Sequence, residues 1–575
     1  MTRPDPSLDP AEDRPWYRWY EPGVPRTLSY PEQPLPRFLA DTTARHPDRT
    51  AIRFMGRGVS YRDLDEAANR FANALIALGV RPGDRVALLL PNCPQIVIGY
   101  YGAQRAGAIV VPINPTYVAS ELRELLADAE PRVVIALSLL FPRVQQIRAD
   151  LPSVEHVVVT NIKEYFPAVT QALFTVARER REGHHVHLPA DGHTHEWHAL
   201  LAGAPASEPE SAMTIDDVAV LQYTSGTTGT PKGVMLTHRN LIAAARQAQV
   251  WCIGIARPGN ADVVLGVIPI FHIFGQDNVL NYPIFGGGTM VLLPQFAVKD
   301  TLAALDRERP DIFPGVPALF AVLGRARDVG RYDLRSLKAS ICGAAPLSDE
   351  VRARFEALSG APIAEGYGST EALITHCAPL KGRHKPGTIG IPIPETDAAI
   401  LDLETGSRRL GPGEPGELAV RGPQVMRGYW RRRDETARAF RDGWLLTGDV
   451  AVMDADGYFT LIDRRKELIN VGGLKVFPSQ VEAVIAGHPA VGEVVTVGVP
   501  DPRHGEVVKA FVVLREGMTA TAEEIIGHCR ERLAPYKLPR SVEFRPNLPK
   551  NLFGKVLRRT LLEEERARRE NPAAS

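Results

Sequence analysis

From Ser60 the chain reads "SYRDLDEAANRFANALIALGV". Leu64, Ala68, Phe71, Leu75 and Leu78 return every three or four residues, the spacing of one helix face. Ser60 with Asp63 resembles a capping box at its start, and Gly79 is a plausible stop. Beyond it the pattern changes. "RVALLL", "AIVVPI", "RVVIAL" and "HVVVT" are short apolar runs separated by helical or turn-rich stretches. Uninterrupted runs of that length fit parallel strands buried on both faces, and their alternation with helices predicts an α/β architecture. The most apolar stretches, Val86–Ile113 and Val263–Leu293, are broken by Pro, Gly, Asn, Gln, Arg or Asp. Neither offers the continuous run that a membrane-spanning helix needs.

Residues 1–33 are rich in Pro, Asp and Arg and read as an irregular lead-in without the apolar core of a signal peptide. Residues 161–206 interrupt the α/β rhythm. There "EYFPAVTQALFTVARERRE" places Phe166, Val169, Leu173 and Val176 on one side of a helix, with Arg178, Arg180 and Arg181 at its end. Two readings of 164–182 stay open: a surface helix packed on its own domain, and a peripheral contact with an anionic membrane surface. "GHHVHLPADGHTHEWH" holds His184, His185, His187, His193, His195 and His198. It reads as a polar connector, with metal binding as the minor alternative.

The α/β pattern resumes to about Asp463. "VGVPDPRHGEVVKAFVVLREG" then predicts a hairpin, "TAEEIIGHCRERLAPYKLP" a helix ended by Pro535, and "LLEEERARREN" a frayed charged helix. The last hundred residues therefore form a mixed unit of their own. A chain of 575 residues exceeds what one core usually holds, so two or more domains are expected. Lys plus Arg and Asp plus Glu both number 67, which leaves no global attraction to nucleic acid. Cys93, Cys252, Cys342, Cys377 and Cys529 stand singly and read as reduced thiols of a cytoplasmic protein.

Candidate chemistry starts at "YTSGTTGTPKG", Tyr223–Gly233. It is not a P-loop, because Lys232 follows Pro231 and no Ser or Thr comes directly after it. The hydroxyls of Thr224, Ser225, Thr227 and Thr228 can still donate to phosphate oxygens. Gly226 and Gly229 permit close backbone approach, and Lys232 adds a full positive charge. "VAVLQY" before the loop and "LTHRNLIAAARQA" after it predict a strand–loop–helix setting, suited to a phosphate site at a helix N-terminus.

With four further segments this loop resembles the acyl-adenylate-forming superfamily, which includes acyl-CoA synthetases, insect luciferases and the adenylation domains of peptide synthetases. "GYGSTE", Gly366–Glu371, fits its second nucleotide motif. "TGD" fits at Thr447–Asp449, "DRRKELINVGGLKVFP" from Asp463 fits its hinge region, and "PKNLFGKVLR" fits its last motif. The similarity extends over nearly the whole chain. It implies a large α/β N-terminal domain with a small β-rich subdomain (1–462), a hinge (463–466) and a small mobile α+β C-terminal domain (467–575).

By the same resemblance, Tyr367 stacks on adenine beside Gly368, with Gly343 and Ala344 as further nucleotide contacts. Thr370 contacts the α-phosphate, Glu371 holds Mg²⁺ and Asp449 accepts from the ribose hydroxyls. Arg464 reaches ribose or phosphate, Lys466 is the pivot, and Gly472 and Gly473 line the pantetheine channel. Lys555 contacts the carboxylate and α-phosphate during adenylation.

The resemblance also implies that His272, in "IPIFHIFG", belongs to the motif that shapes the acyl entrance. Val316, Cys342, Gly343, Ala344, Ala345 and the helix after His272 are expected as acyl-pocket walls. "FHIFG", "GYWRRRDET" and "GIPIPETDAAILD" are most similar to bacterial fatty acyl-CoA synthetases. The implied partners are a fatty acid, ATP with Mg²⁺, and coenzyme A. A homodimer, and a place at the inner face of the membrane, remain candidates. So do transfer of the acyl group to a carrier protein and a non-enzymatic nucleotide-binding role.

Overall fold

Ser60 caps its helix as read. Its hydroxyl accepts from the Asp63 amide, and the Asp63 carboxylate accepts in return from the Ser60 amide. The helix runs Tyr61–Ala77 with Leu64, Ala68, Phe71 and Leu75 buried, and Gly79 follows at φ +83°. The computed structural model describes residues 14–224, 231–257, 261–550 and 556–570. The chain divides into two compact units, Met1–Asp397 with Val420–Leu445, and Ala398–Ala419 with Leu446–Ser575.

The first unit holds two large sheets. In one, the four apolar runs form Arg85–Leu89, Ile109–Pro112, Val133–Leu137 and His156–Thr160, paired in parallel. Val218–Thr224 joins this sheet beside Ile109–Pro112. In the other, Val263–Gly266, Ile312–Gly315, Ala339–Cys342 and Ile363–Ser369 lie side by side, also parallel. Burial on both faces explains why these strands carry no polar alternation. A core of Leu265, Leu305, Phe313, Phe320 and Phe355 fills the space beside the second sheet.

Two sequence readings change here. The loop at 225–230 was expected to lead into a helix. Instead Val218–Thr224 and Lys232–Thr237 form an antiparallel hairpin, with Thr224 opposite Lys232. The helix His238–Trp251 begins only after the second strand, capped by Thr237. A second strand therefore precedes the helix, and residues 225–230 between the two strands lie outside the described residues. No polar alternation marks this strand, since Val234, Met235 and Leu236 are apolar in succession.

The second change concerns 164–182. The helix forms at Ala168–Ala177, after Phe166 and Pro167 rather than through them. Phe174 is its buried residue, and Phe174 meets Phe166 edge to face. Val169, Leu173 and Val176 point outward, 73%, 65% and 90% exposed.

His184, just beyond this helix, is buried against Ser138 and Phe174. His195 lies in an edge strand against His156. Among the described residues no three His, Cys, Asp or Glu side chains converge on a metal position. All five cysteines are free and buried.

In the second unit, Trp444–Met453 pairs antiparallel with Phe459–Arg464. The predicted hairpin forms as Val491–Asp501 and Gly505–Leu514. The helix Ala522–Arg530 starts in a Thr521 capping box and ends before Pro535. The charged terminal helix spans Arg558–Glu570. No helix of the described residues is long and apolar enough to cross a membrane.

Candidate active site

The site residues of the first unit sit where its parallel strands end, the usual place for a ligand in α/β sheets. Ala339–Cys342 runs out into Gly343 and Ala344, the latter held at φ +71°. A Cβ on Gly343 would lie 3.4 Å from Phe274 and 3.5 Å from the Gly366 carbonyl oxygen. Three segments far apart in sequence thus meet there: "FHIFG", "CGAA" and "GYGSTE".

Ile363–Ser369 carries Gly366, Tyr367 and Gly368. Thr370 and Glu371 occupy the turn before the antiparallel strand Leu373–Cys377. The turn is so tight that a Cβ on Gly368 would fall 1.7 Å from the Leu373 carbonyl oxygen. That approach demands glycine. Tyr367 packs edge to face on buried His376, whose pKa burial lowers to about 3.

His272 precedes a short helical turn at Ile273–Gly275, and its Nδ1 accepts from the Phe274 amide. Burial lowers its pKa to about 4, so the ring is neutral at physiological pH. The segment is tied to the other sheet through Gln222, which donates to the Phe271 carbonyl at 3.0 Å and accepts from Gln276. Gln222 lies two residues before Thr224, so this link draws the His272 segment toward the mouth of the hairpin.

Lys232, opposite Thr224, forms an ion pair with Glu435 and stands 5.4 Å over the Tyr429 ring. The Tyr429 hydroxyl donates to Glu371 Oε1 at 2.9 Å. The Met426 amide donates to the Glu371 carbonyl, fixing the backbone beneath it. Burial, followed by the Glu371 charge, pushes the Tyr429 pKa up, so its hydroxyl stays protonated and remains a donor.

Lys232, Glu435, Tyr429 and Glu371 therefore form one alternating polar array. Tyr429 and Glu435 were missed as site residues. Both lie in "GYWRRRDET", where a phenol and a carboxylate within a run of arginines were the available signal.

A mostly apolar cavity lies behind these strand ends. It is lined by Ala248, Trp251, Cys252, Asn278, Tyr282 and Ile341, among others. The indole of Trp251 donates to the Ala378 carbonyl, and the Tyr282 hydroxyl to Asp262. Their polar tips are thus satisfied, and the rings close the cavity as apolar walls. The segment after His272 contributes Asn278 and Tyr282 to the lining. Val316, Cys342, Gly343, Ala344 and Ala345 do not line this cavity, and the helix His238–Trp251 contributes Ala248 and Trp251 to it.

In the second unit, Asp449 and Arg464 face each other across paired strands, with Arg464 Nε 3.0 Å from Asp449 Oδ1. Lys466 follows in a short 3-10 turn, Arg465–Glu467. Asp463 accepts from the amide and hydroxyl of Ser479, and burial raises its pKa to about 6. Gly472 and Gly473 form a hairpin turn at φ +59° and +89°, with open space where either would carry a Cβ. Ser225, Gly226, Thr227, Thr228, Gly229 and Lys555 lie outside the described residues.

The carboxylate of Glu371 suits Mg²⁺, which is bound by one or two carboxylates together with substrate phosphates and water. A protein cage is not required for it.

Comparison with known proteins agrees in extent. Residues 39–430 match the AMP-binding enzyme family, and residues 480–555 match the AMP-binding enzyme C-terminal domain. The chain is 43% identical to a long-chain-fatty-acid–CoA ligase of Bacillus subtilis, over 96% of this chain and 98% of that protein. It is 36% identical to one from Escherichia coli O157:H7, over 97% and 99%.

Among solved structures, ATP-bound MatB from Rhodopseudomonas palustris superposes with a TM-score of 0.78 at 30% identity, over 92% of this chain and 98% of that one. A Mycobacterium tuberculosis fatty acyl CoA synthetase gives 0.72 at 29%, over 93% and 98%. On the match of both parts and the near-full-length identity, the chain belongs to the family of AMP-binding enzymes.

Proposed function

We propose that the protein joins a medium- or long-chain fatty acid to coenzyme A in two steps driven by ATP. In the first, a carboxylate oxygen attacks the α-phosphorus and pyrophosphate leaves, giving an acyl-AMP. In the second, the coenzyme A sulfur attacks the acyl carbon, AMP leaves and the thiol proton passes to solvent. Neither step requires a protein nucleophile. The main obstacle to the first is the approach of one anion to another.

Preorganised positive groups offset that repulsion, and one such group is commonly worth about 3 kcal/mol. Lys232 and the Thr/Gly turn that precedes it are assigned to the phosphates. Lys555 is assigned to the reacting carboxylate and α-phosphate, and Thr370 to the α-phosphate. Mg²⁺ held at Glu371 would neutralise phosphate charge. Tyr367, Gly368, Gly343 and Ala344 are assigned to the adenine side, and Asp449 with Arg464 to the ribose. Gly472 and Gly473 are assigned to the pantetheine arm, and His272 to the acyl entrance. Rotation of 467–575 about 463–466 would exchange Lys555 for the Gly472–Gly473 turn between steps, a hinge motion of rigid bodies.

The observation that carries the fatty-acid reading is the near-full-length identity to long-chain-fatty-acid–CoA ligases; the small apolar cavity lined by Trp251, Tyr282 and Ile341 is the place proposed for part of the alkyl chain. A fatty acid gains about 0.8 kcal/mol for each methylene it buries there. The reading places the enzyme in the cytoplasm, peripheral to the inner face of the membrane through 164–182. Sedimentation velocity tests a homodimer as its assembly. For the activity itself, purified protein is incubated with ATP, Mg²⁺, coenzyme A and straight-chain acids of graded length. AMP and acyl-CoA should form together, best with medium or long chains. AMP formation that requires an acyl carrier protein instead of coenzyme A would favour the carrier alternative. Absence of AMP with every acid and either acceptor would refute the ligase reading.

A further inference from the structure

We propose that residues 14–24 form a strap that limits the length of acyl chain the enzyme accepts, with Tyr20 as its positioning residue. The proposal deepens the fatty-acid reading and rests on it. Chain ends usually fray unless something ties them down. This segment is tied at three places. Arg14 forms an ion pair with Asp397 at 2.5 Å. The Tyr20 hydroxyl donates to the Pro392 carbonyl at 2.9 Å. The Glu21 carboxylate accepts from the amides of Lys381 and Gly382, and hydrogen bonds to a charged acceptor are among the stronger ones. Trp16, in the 3-10 helix Pro15–Trp19, is buried. All these residues belong to the first compact unit.

The strap packs against a wall of the apolar cavity. The Tyr20 ring meets Trp251 edge to face, with centroids 5.5 Å apart and planes at 89°. Trp251 lines the cavity, and so does Ile393, the residue after the Pro392 that holds Tyr20. Tyr20 itself does not line it. The strap also clamps the chain just beyond the helix His238–Trp251. A Cβ on Gly23 would lie 3.7 Å from Ile253. Lys381, held through its amide by Glu21, donates its ammonium to the Gly254 carbonyl.

Trp251 is therefore held twice. Its indole is tethered to the Ala378 carbonyl, and its ring is braced by Tyr20. An alkyl chain that reaches this wall stops there, because close-packed rings yield little. Removal of the Tyr20 ring would leave a void behind Trp251 that the surroundings fill only in part. Trp251 could then tilt into that void, and the cavity would deepen. Tyr20 thus acts through Trp251 and touches no substrate.

The test uses the full chain in two assays. Without ATP, straight-chain acids of graded length displace bound dansylundecanoic acid, a fluorescent fatty acid. With ATP, Mg²⁺ and coenzyme A, kcat/KM is measured across the same acids. Tyr20→Ala should shift both profiles toward longer acids by about two to four carbons. Each added methylene that finds burial is worth roughly fourfold, so those acids should gain roughly tenfold or more relative to the wild-type optimum. Tyr20→Phe keeps the ring and loses only the bond to Pro392, and it should retain the wild-type profile. Glu21→Ala leaves the ring but frees the strap. It should shift the profiles the same way by a smaller amount, and it carries the test if Tyr20→Ala fails to fold.

Tyr20→Ala and Glu21→Ala profiles that stay where the wild type's are, or that fall for every acid alike, would overturn the proposal. So would a Tyr20→Phe profile that moves as far as that of Tyr20→Ala, or wild-type protein that binds no acid in the displacement assay. Failure of AMP formation with every acid would sink the ligase reading instead, and the displacement series would still decide the role of the strap.

Discussion

Tyr429 donates its hydroxyl to Glu371 Oε1 at 2.9 Å, and Lys232 stands over the same tyrosine ring. One aromatic side chain therefore touches both the carboxylate assigned to Mg²⁺ and the lysine assigned to phosphate. Groups that orient a metal ligand commonly change metal affinity 10–100-fold when removed. Tyr429→Phe keeps the ring under Lys232 and deletes only the hydrogen bond. The Mg²⁺ concentration for half-maximal AMP formation should rise about tenfold, with the rate at saturating Mg²⁺ largely retained. A Mg²⁺ titration that superposes on wild type would exclude this positioning role.

Much of this arrangement was legible in the chain. The Ser60 cap, the four parallel strands and the terminal hairpin follow from side-chain spacing alone, because burial on one face or two leaves a periodic trace. The hairpin after Thr224 did not. Its Gly and Thr residues fit a phosphate turn in either setting, and the apolar run Val234–Leu236 carries no alternation that would separate a second strand from a helix start. Tyr429 and Glu435 were illegible for another reason: their roles arise from contacts with Glu371 and Lys232 some 58 and 203 positions away. No local spacing encodes such a contact. The same holds for Trp251, which reads as one more core residue until Tyr282 and Cys252 are seen to share its cavity.

The cavity makes a prediction about chain length. Ala248 lines it from the helix His238–Trp251 and is almost fully buried. Ala248→Phe would fill space proposed for part of the alkyl chain. Each excluded methylene costs about 0.8 kcal/mol, roughly fourfold in relative kcat/KM. The preferred acid should shorten by about two to four carbons, while the KM for ATP stays near wild type. Rates measured across a series of straight-chain acids read this directly. An unchanged length profile would mean that the chain lies elsewhere.

His376 makes a prediction about pH. It is fully buried, bonded to Thr375 through Nδ1, and its pKa is lowered to about 3. In the unfolded chain it titrates near 6.5. Above that pH both states carry a neutral ring and the shift has no effect. Below it the unfolded state takes up a proton that the folded state refuses, so stability is lost as pH falls from 6.5 toward 3. The slope is about 1.4 kcal/mol per pH unit. His376→Asn removes this one contribution. Urea unfolding at pH 7.5, 6.0 and 5.0 should show the wild type losing stability faster than the variant by about that amount. Parallel pH profiles would mean that His376 is not held neutral.

Separation of the two half-reactions gives the last prediction. Lys555 is assigned only to the step in which like charges meet, and Gly472 only to the passage of the pantetheine arm. Lys555→Ala should lower acyl-AMP formation by at least 100-fold, in line with removal of a preorganised charge worth about 3 kcal/mol or more. Thioester formation from supplied acyl-AMP should be nearly unaffected. Gly472→Val should do the reverse. Open space surrounds its Cβ position, so packing tolerates the side chain, while φ +59° strains the turn and the branched group obstructs the approach assigned to coenzyme A. Pyrophosphate release in a single turnover reports the first step, and thioester formation from synthetic acyl-AMP reports the second. The exchange of roles about 463–466 requires the two variants to fail in opposite assays. If both variants lost both steps equally, one fixed site would be serving the whole reaction.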